Sequence, residues 1–176
     1  MDEKQQIYTE ILVIRSQQGE KEAFELLVEL WQKPLITFAI RYIEQETEAL
    51  DAVQETWISV IKKLNKLQDP DLFVSWLFRI LTNKCIDRIR KKQNVEKLIN
   101  NVNPKSETLT SKNENEDLEQ AIQKLSDEHK SIIILRFAQG LQVGQIASIL
   151  NIAEGTVKSR LHRAITRLRE NLGEIK

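Results

Sequence analysis

Residues 140–170, GLQVGQIASILNIAEGTVKSRLHRAITRLRE, decide the fold. Val143, Ile146, Ala147 and Leu150 recur at helical spacing and give a short first helix, with Ala147 small enough for a close helix approach. Asn151, Ile152 and Ala153 make a brief turn, and a second helix opens near Glu154, whose charge suits the positive end of a helix dipole. Short helix, tight turn and longer helix form the layout of a helix-turn-helix. On a wheel of ~100° per residue with Thr156 at zero, Val157, Leu161, Ala164, Ile165, Leu168 and Leu172 fall between roughly 80° and 180°. Thr156, Ser159, Arg160, Arg163 and Arg167 fall between roughly 300° and 40°. One face packs, and the opposite face offers hydroxyls and guanidinium groups.

The N-terminal residues of such a helix point into the major groove, so Thr156, Ser159 and Arg160 are the expected base readers. Arg163 and Arg167 lie further along and suit the phosphate backbone, as does Lys158 on the flank. An ordinary solvated basic face is the alternative, but solvated faces mix signs, and no Asp or Glu occurs between Gly155 and Arg169. His162 lies off both faces, and the only other histidine, His129, is distant in sequence, so no metal site is expected.

Charge supports a nucleic-acid reading once it is mapped along the chain. The 176 residues carry 26 basic and 26 acidic side chains, a net of zero. Residues 1–78 have a net of −6, residues 79–92 of +5, residues 93–128 of −4 and residues 129–176 of +5. Screening limits the reach of charge to ~10 Å, so the two basic blocks act as local patches and imply two contacts with nucleic acid.

Only 5 Gly and 3 Pro occur, which argues against β-rich architecture, and Leu, Glu, Lys, Gln, Ala and Ile dominate, so the expected fold class is all-α. Residues 1–92 form one helical domain with apolar stripes at Phe24, Leu27, Leu30 and Trp31, then at Leu50, Val53, Trp57, Ile61 and Leu64. Pro34 is expected to interrupt the first stripe, and Gln68-Asp69-Pro70-Asp71 to make a turn before a long helix from Phe73 to Lys92. Residues 93–117 are rich in Asn, Ser, Thr, Lys and Glu without an apolar stripe and are expected to be a flexible linker. Residues 118–176 form the second, smaller helical domain.

Cys85 is alone, which rules out an internal disulfide and fits a buried small hydrophobe in a reducing compartment. MDEKQQIY is no signal peptide, and no apolar run approaches the ~20 residues a membrane span requires, so the expected location is the cytoplasm. There is no Gly-rich phosphate loop, metal-ligand cluster or nucleophile motif, so neither a cofactor nor enzymatic activity is expected.

GTVKSRLHRAITRLRE and the preceding LSDEHKSIIILRFAQGLQVGQIASIL resemble region 4 of the extracytoplasmic-function group of sigma-70-family factors. GEKEAFELLVELWQKPL, DAVQETWISVIKKL and SWLFRILTNKCIDRIRKK resemble, in order, the helices of region 2. The resemblance implies a non-enzymatic transcription-initiation factor with three partners: core RNA polymerase, promoter DNA and an anti-sigma protein that covers the same faces. Region 2 would bind the polymerase clamp and capture a melted −10 strand, while region 4 would bind the polymerase flap and read the −35 element. Two departures stand out: Leu125-Ser126 replaces a common Leu-Pro, and Val143, Gly144 and Gln145 replace an aromatic and two Glu. Gly144 weakens its helix by up to ~1 kcal/mol relative to Ala.

In region 2, Asp51, Glu55, Ile58 and Lys62 share the polar face of their helix, with Gln54 beside them. By resemblance, Asp51, Gln54 and Glu55 would touch the clamp, and the exposed Ile58 suits a protein partner. Trp76, Arg79, Asn83, Asp87 and Arg90 lie within a stripe of roughly 80° on the next helix. An amide among guanidinium groups and an aromatic ring can grip unpaired bases, with Asn83 foremost and Trp76 divided between strand contact and core packing. The turn from Lys66 to Phe73 resembles the loop that pockets a flipped base. Two other readings remain open: a DNA-binding regulator that never meets polymerase, and a decoy for an anti-sigma protein. The acidic face discriminates against the first, and intact basic faces against the second.

Overall fold

The computed structural model describes residues 3–43, 45–99 and 114–174. Helix α1, Glu3–Gln17, turns inward Thr9, Leu12 and Val13. Gly19, at a φ of 93° that side-chain-bearing residues rarely adopt, reverses the chain into α2, Lys21–Tyr42. Helix α3 is Glu46–Lys63, and 3₁₀ turns at Leu64–Lys66 and Pro70–Leu72 lead to α4, Phe73–Ile99. The second turn is capped by the Asp69 carboxylate, which accepts from the Asp71 N–H at 3.1 Å.

Pro34 does not interrupt α2, contrary to the sequence expectation. The helix runs through it, and the buried row Ala23, Leu27, Trp31, Leu35, Phe38, Ala39 and Tyr42 continues on both sides. Packing of that row outweighs the local cost of a missing N–H. Aromatic edges lock the row to its neighbours: Phe24 meets Trp57 at 6.0 Å, and Phe78 of α4 meets Trp31 at 6.2 Å and Phe38 at 5.6 Å.

The C-terminal half contains α5 (Glu114–Gln123), α6 (Asp127–Ile133), α7 (Val143–Leu150) and α8 (Glu154–Glu174), with a π turn at Ile134–Ala138 continuing α6. All of the described regular structure is helical. Helix enters the segment expected as a linker from both sides, to Ile99 and from Glu114, and residues 100–113 lie outside the described residues.

The two halves share one hydrophobic core. Leu12 to Cys85 of the first half and Ile132, Ile134, Leu135, Ile146, Ile149 and Val157 of the second form a continuous buried cluster. Tyr42 sits at this junction, fully buried and stacked on Phe38 at 5.6 Å. Its hydroxyl lies 2.8 Å from Ser131 Oγ and donates to the Asp127 carbonyl at 3.2 Å. Gln123 and Gln139 add side-chain bonds to the Arg41 and Pro34 carbonyls, at 3.1 and 3.3 Å. Burial pushes the Tyr42 phenol well above its ordinary value, so the residue stays neutral and bonded.

Candidate nucleic-acid interface

The helix-turn-helix is built from local bonds over a buried floor. The Gln142 N–H donates to Gln145 Oε1 at 3.0 Å and starts α7. Asn151 ends it in the left-handed conformation, φ 53°, and the Ile152 N–H reaches back to the Ala147 carbonyl at 3.1 Å. Asparagine tolerates that conformation better than most residues, which is why the turn closes there. Ile146, Ala147, Ile149, Val157 and Ala164 are buried beneath it, and α8 leaves its other face open.

That open face carries most of the expected side chains. Lys158, Ser159, Arg163 and Arg167 are exposed and Thr156 is half-buried. Arg160 differs from them: it is half-buried and pairs with Glu128 of α6 at 3.1 Å. Burial and the charge of Arg167 hold His129, on α6, below its usual pKa. His162 is exposed.

Helix α4 divides its charges in a similar way. Arg79, Asn83, Asp87 and Arg90 are exposed, and Trp76 is half-buried with its ring 6.1 Å from that of Phe73. Lys84 and Arg88 instead turn to α3, where Glu55 accepts from them at 3.2 and 2.6 Å, and Arg88 also bonds Glu48. Burial pushes the Glu55 carboxyl up, but the Lys84 hydrogen bond and the Arg88 charge outweigh it and hold it below the ordinary range. Asp51, Gln54 and Ile58 stand exposed on the same face of α3, with Asp51 at 4.0 Å from Arg88. Among the described residues no carboxylate pairs with Arg79, Arg90, Arg163 or Arg167, and no group of potential metal ligands occurs.

Known families place this arrangement. Residues 27–95 match the family model for sigma-70 region 2, and residues 115–168 match that for sigma-70 region 4. A 174-residue alignment with the ECF RNA polymerase sigma factor SigW of Bacillus subtilis is 30% identical and covers 89% of this chain and 92% of that protein. The chain belongs to the extracytoplasmic-function group of sigma-70 factors. The ECF RNA polymerase sigma-E factor of Haemophilus influenzae is also 30% identical, over 91% of this chain and 93% of that protein. Among solved structures, the sigma factor RpoE in complex with the anti-sigma factor NepR, from Bartonella quintana, is similar at a TM-score of 0.73 and 29% identity, covering 85% of this chain and 96% of that one. CnrH in complex with the cytosolic domain of CnrY is similar at 0.76 and 26%, covering 96% and 99%.

The region 2 match spans the open face of α4, and the region 4 match spans Thr156 to Arg167 of α8. One surface of this sigma factor escaped the sequence reading. A groove of about 820 Å³ is lined by Leu118, Ile122, Ile133, Phe137, Ile165 and Leu168 of the C-terminal half and by Arg41 of α2, and Phe137 is 65% exposed. The π turn carries Phe137, and helical periodicity gives no warning of a π turn. Ile61, expected in the packed stripe with Val53, Trp57 and Leu64, is instead 64% exposed, so α3 carries a second exposed apolar group. No described helix is long and apolar enough to cross a membrane.

Proposed function

We propose that this sigma factor directs core RNA polymerase in the cytoplasm to promoters by capturing the −10 strand on α4 and reading the −35 duplex from α8, without catalysing a reaction itself. One observation carries the reading: cations that face neighbouring helices (Lys84, Arg88, Arg160) are paired, whereas those facing outward (Arg79, Arg90, Arg163, Arg167) have no carboxylate partner among the described residues. Unpaired guanidinium groups on two separate faces suit phosphate. Arg79, Asn83 and Arg90 grip the strand, with Trp76 and Asp87 at its margins. Thr156 and Ser159 meet base edges, and Lys158, Arg163 and Arg167 meet phosphates. Arg160, held by Glu128, enters the groove as an oriented guanidinium.

The polymerase contact rests on Asp51, Gln54, Glu55 and Ile58, extended by Ile61, with the Phe137 groove taking a second element of polymerase as an apolar helix in a groove. An anti-sigma protein is a further partner, as it is of the structurally similar sigma factor RpoE. Promoter engagement also separates the halves. Elements named −10 and −35 lie about 25 base pairs, or about 85 Å, apart at a rise of ~3.4 Å. A single folded body of 176 residues has a radius of gyration of about 16 Å. The shared core around Tyr42 therefore belongs to the unbound protein.

Asp51→Arg tests the assignment. Asp51 is exposed and 4.0 Å from Arg88, so its replacement leaves the Glu48 and Glu55 pairs of Arg88 in place. Core-polymerase binding and promoter-directed transcription should both fall at least tenfold. Undiminished binding and transcription would remove the clamp contact and favour a regulator that acts without polymerase.

A further inference from the structure

Glu154 is the one acidic side chain at the DNA-facing end of α8, and its surroundings are unusual. It opens the helix, it is exposed, and among the described residues no donor or cation contacts its carboxylate. The carboxylate folds over the first turn of α7. A Cβ built on Gly144 would lie 3.1 Å from Glu154 Oε1. Gly144 thus leaves the space in which the carboxylate rests, in the crease where the two helix starts meet. The positive end of the α7 dipole favours negative charge there.

A carboxylate at the N-terminal end of a recognition helix lies close to an arriving polyanion. Phosphates would repel it, and removing it from water without a donor would cost free energy that the rest of the interface would have to offset. An acceptor-only group is tolerated in a major groove where a base edge presents a donor. Cytosine N4 is that donor. Adenine N6 also donates, but the adjacent N7 acceptor repels a carboxylate, and the guanine and thymine edges present acceptors.

We propose that Glu154 is a specificity-determining residue of the −35 reader, accepting from the exocyclic amine of a cytosine, and that Gly144 is the positioning residue that fixes its carboxylate in the crease between α7 and α8. The proposal rests on the duplex-reading role of α8 given above. It adds an acidic reader at the first residue of α8, beside rather than within the face of hydroxyls and cations, and it gives a use to the glycine that weakens α7.

The test is a selection with holoenzyme reconstituted from core polymerase and the full chain. The promoter library is randomised across the −35 element with a constant −10 element, and the transcribed promoters are sequenced. The wild-type protein should enrich cytosine at one position. Glu154→Ala should lower that preference about tenfold while leaving the other positions unchanged. Glu154→Gln should move the same position towards adenine, whose N6 and N7 an amide can bond together. Gly144→Ala should weaken the same preference without lowering the unfolding temperature. Alanine strengthens the helix, and the atom displaced is the mobile end of a side chain. A Glu154→Ala profile identical to wild type, or one altered evenly at every position, would overturn the proposal. A wild-type protein that transcribes yet selects no −35 sequence would overturn duplex reading by α8 itself, which is a distinguishable failure.

Discussion

Removing the Tyr42 hydroxyl by Tyr42→Phe should destabilise the free protein at neutral pH and stabilise it in alkali. The ring stays in place against Phe38, so no cavity forms. What is lost is a buried bond to Ser131 Oγ at 2.8 Å and a longer one to the Asp127 carbonyl at 3.2 Å. The Ser131 hydroxyl can still donate to the Asp127 carbonyl at 2.6 Å, so no buried donor is stranded. The cost is therefore close to one net hydrogen bond, about 1 kcal/mol, rather than the ~3 kcal/mol of an orphaned group. For a chain of this size that corresponds to a fall of roughly 2–4 °C in unfolding temperature at pH 8. Alkali reverses the order because burial raises the phenol's pKa in the folded state above its unfolded value. Stability from such a group is complete below the unfolded pKa of about 10 and is lost above it, at about 1.4 kcal/mol per pH unit. Phenylalanine has no such loss, so urea-unfolding curves of the two proteins should cross near pH ~11. All other titrating groups are common to both proteins and cancel. A Tyr42→Phe deficit of the same size at pH 8 and pH 11 would refute the buried, neutral phenol at the junction of the two halves.

Phe137→Asp should weaken core-polymerase binding at least tenfold while leaving the unfolding temperature within about 2 °C, because the ring is 65% exposed; pull-down with core polymerase and a thermal melt check both halves of the statement. His129 is held low by burial, by Arg167 and, more weakly, by Arg160 and Arg163, with Glu128 opposing. Phosphates that neutralise those arginines should raise its pKa, so holoenzyme affinity for a −35 duplex should increase as pH falls below neutral at constant ionic strength, and His129→Ala should flatten that rise. The Cys85 thiol is buried and pushed up to about 12, so it should resist a thiol reagent at pH 8 until urea unfolds the chain; modification of the native protein within minutes would contradict its burial.

Helical periodicity is local, which is why the fold class, the turn at residues 151–153 and both polar faces were legible in the sequence. The parts that were not legible depend on residues distant in sequence. Tyr42 and Ser131 are 89 positions apart, and no wheel could have joined them. Pro34 is a local helix breaker overruled by a tertiary row of buried side chains. The division of cations was half visible. On the α4 wheel with Asn83 at zero, Arg88 falls at roughly 140°, inside the sector of Leu77 and Leu81, whereas Arg79 and Arg90 fall within roughly 40° of Asn83. A guanidinium in the apolar sector needs a carboxylate from a facing helix, and Glu48 and Glu55 supply it. Arg160 stands at roughly 40° on the α8 wheel, the edge of its polar sector nearest the apolar one, and it too is paired, through Glu128. A cation displaced towards the apolar sector is thus a reason to look for an acid on the neighbouring helix, and a cation centred on the polar sector is a reason to look for a phosphate.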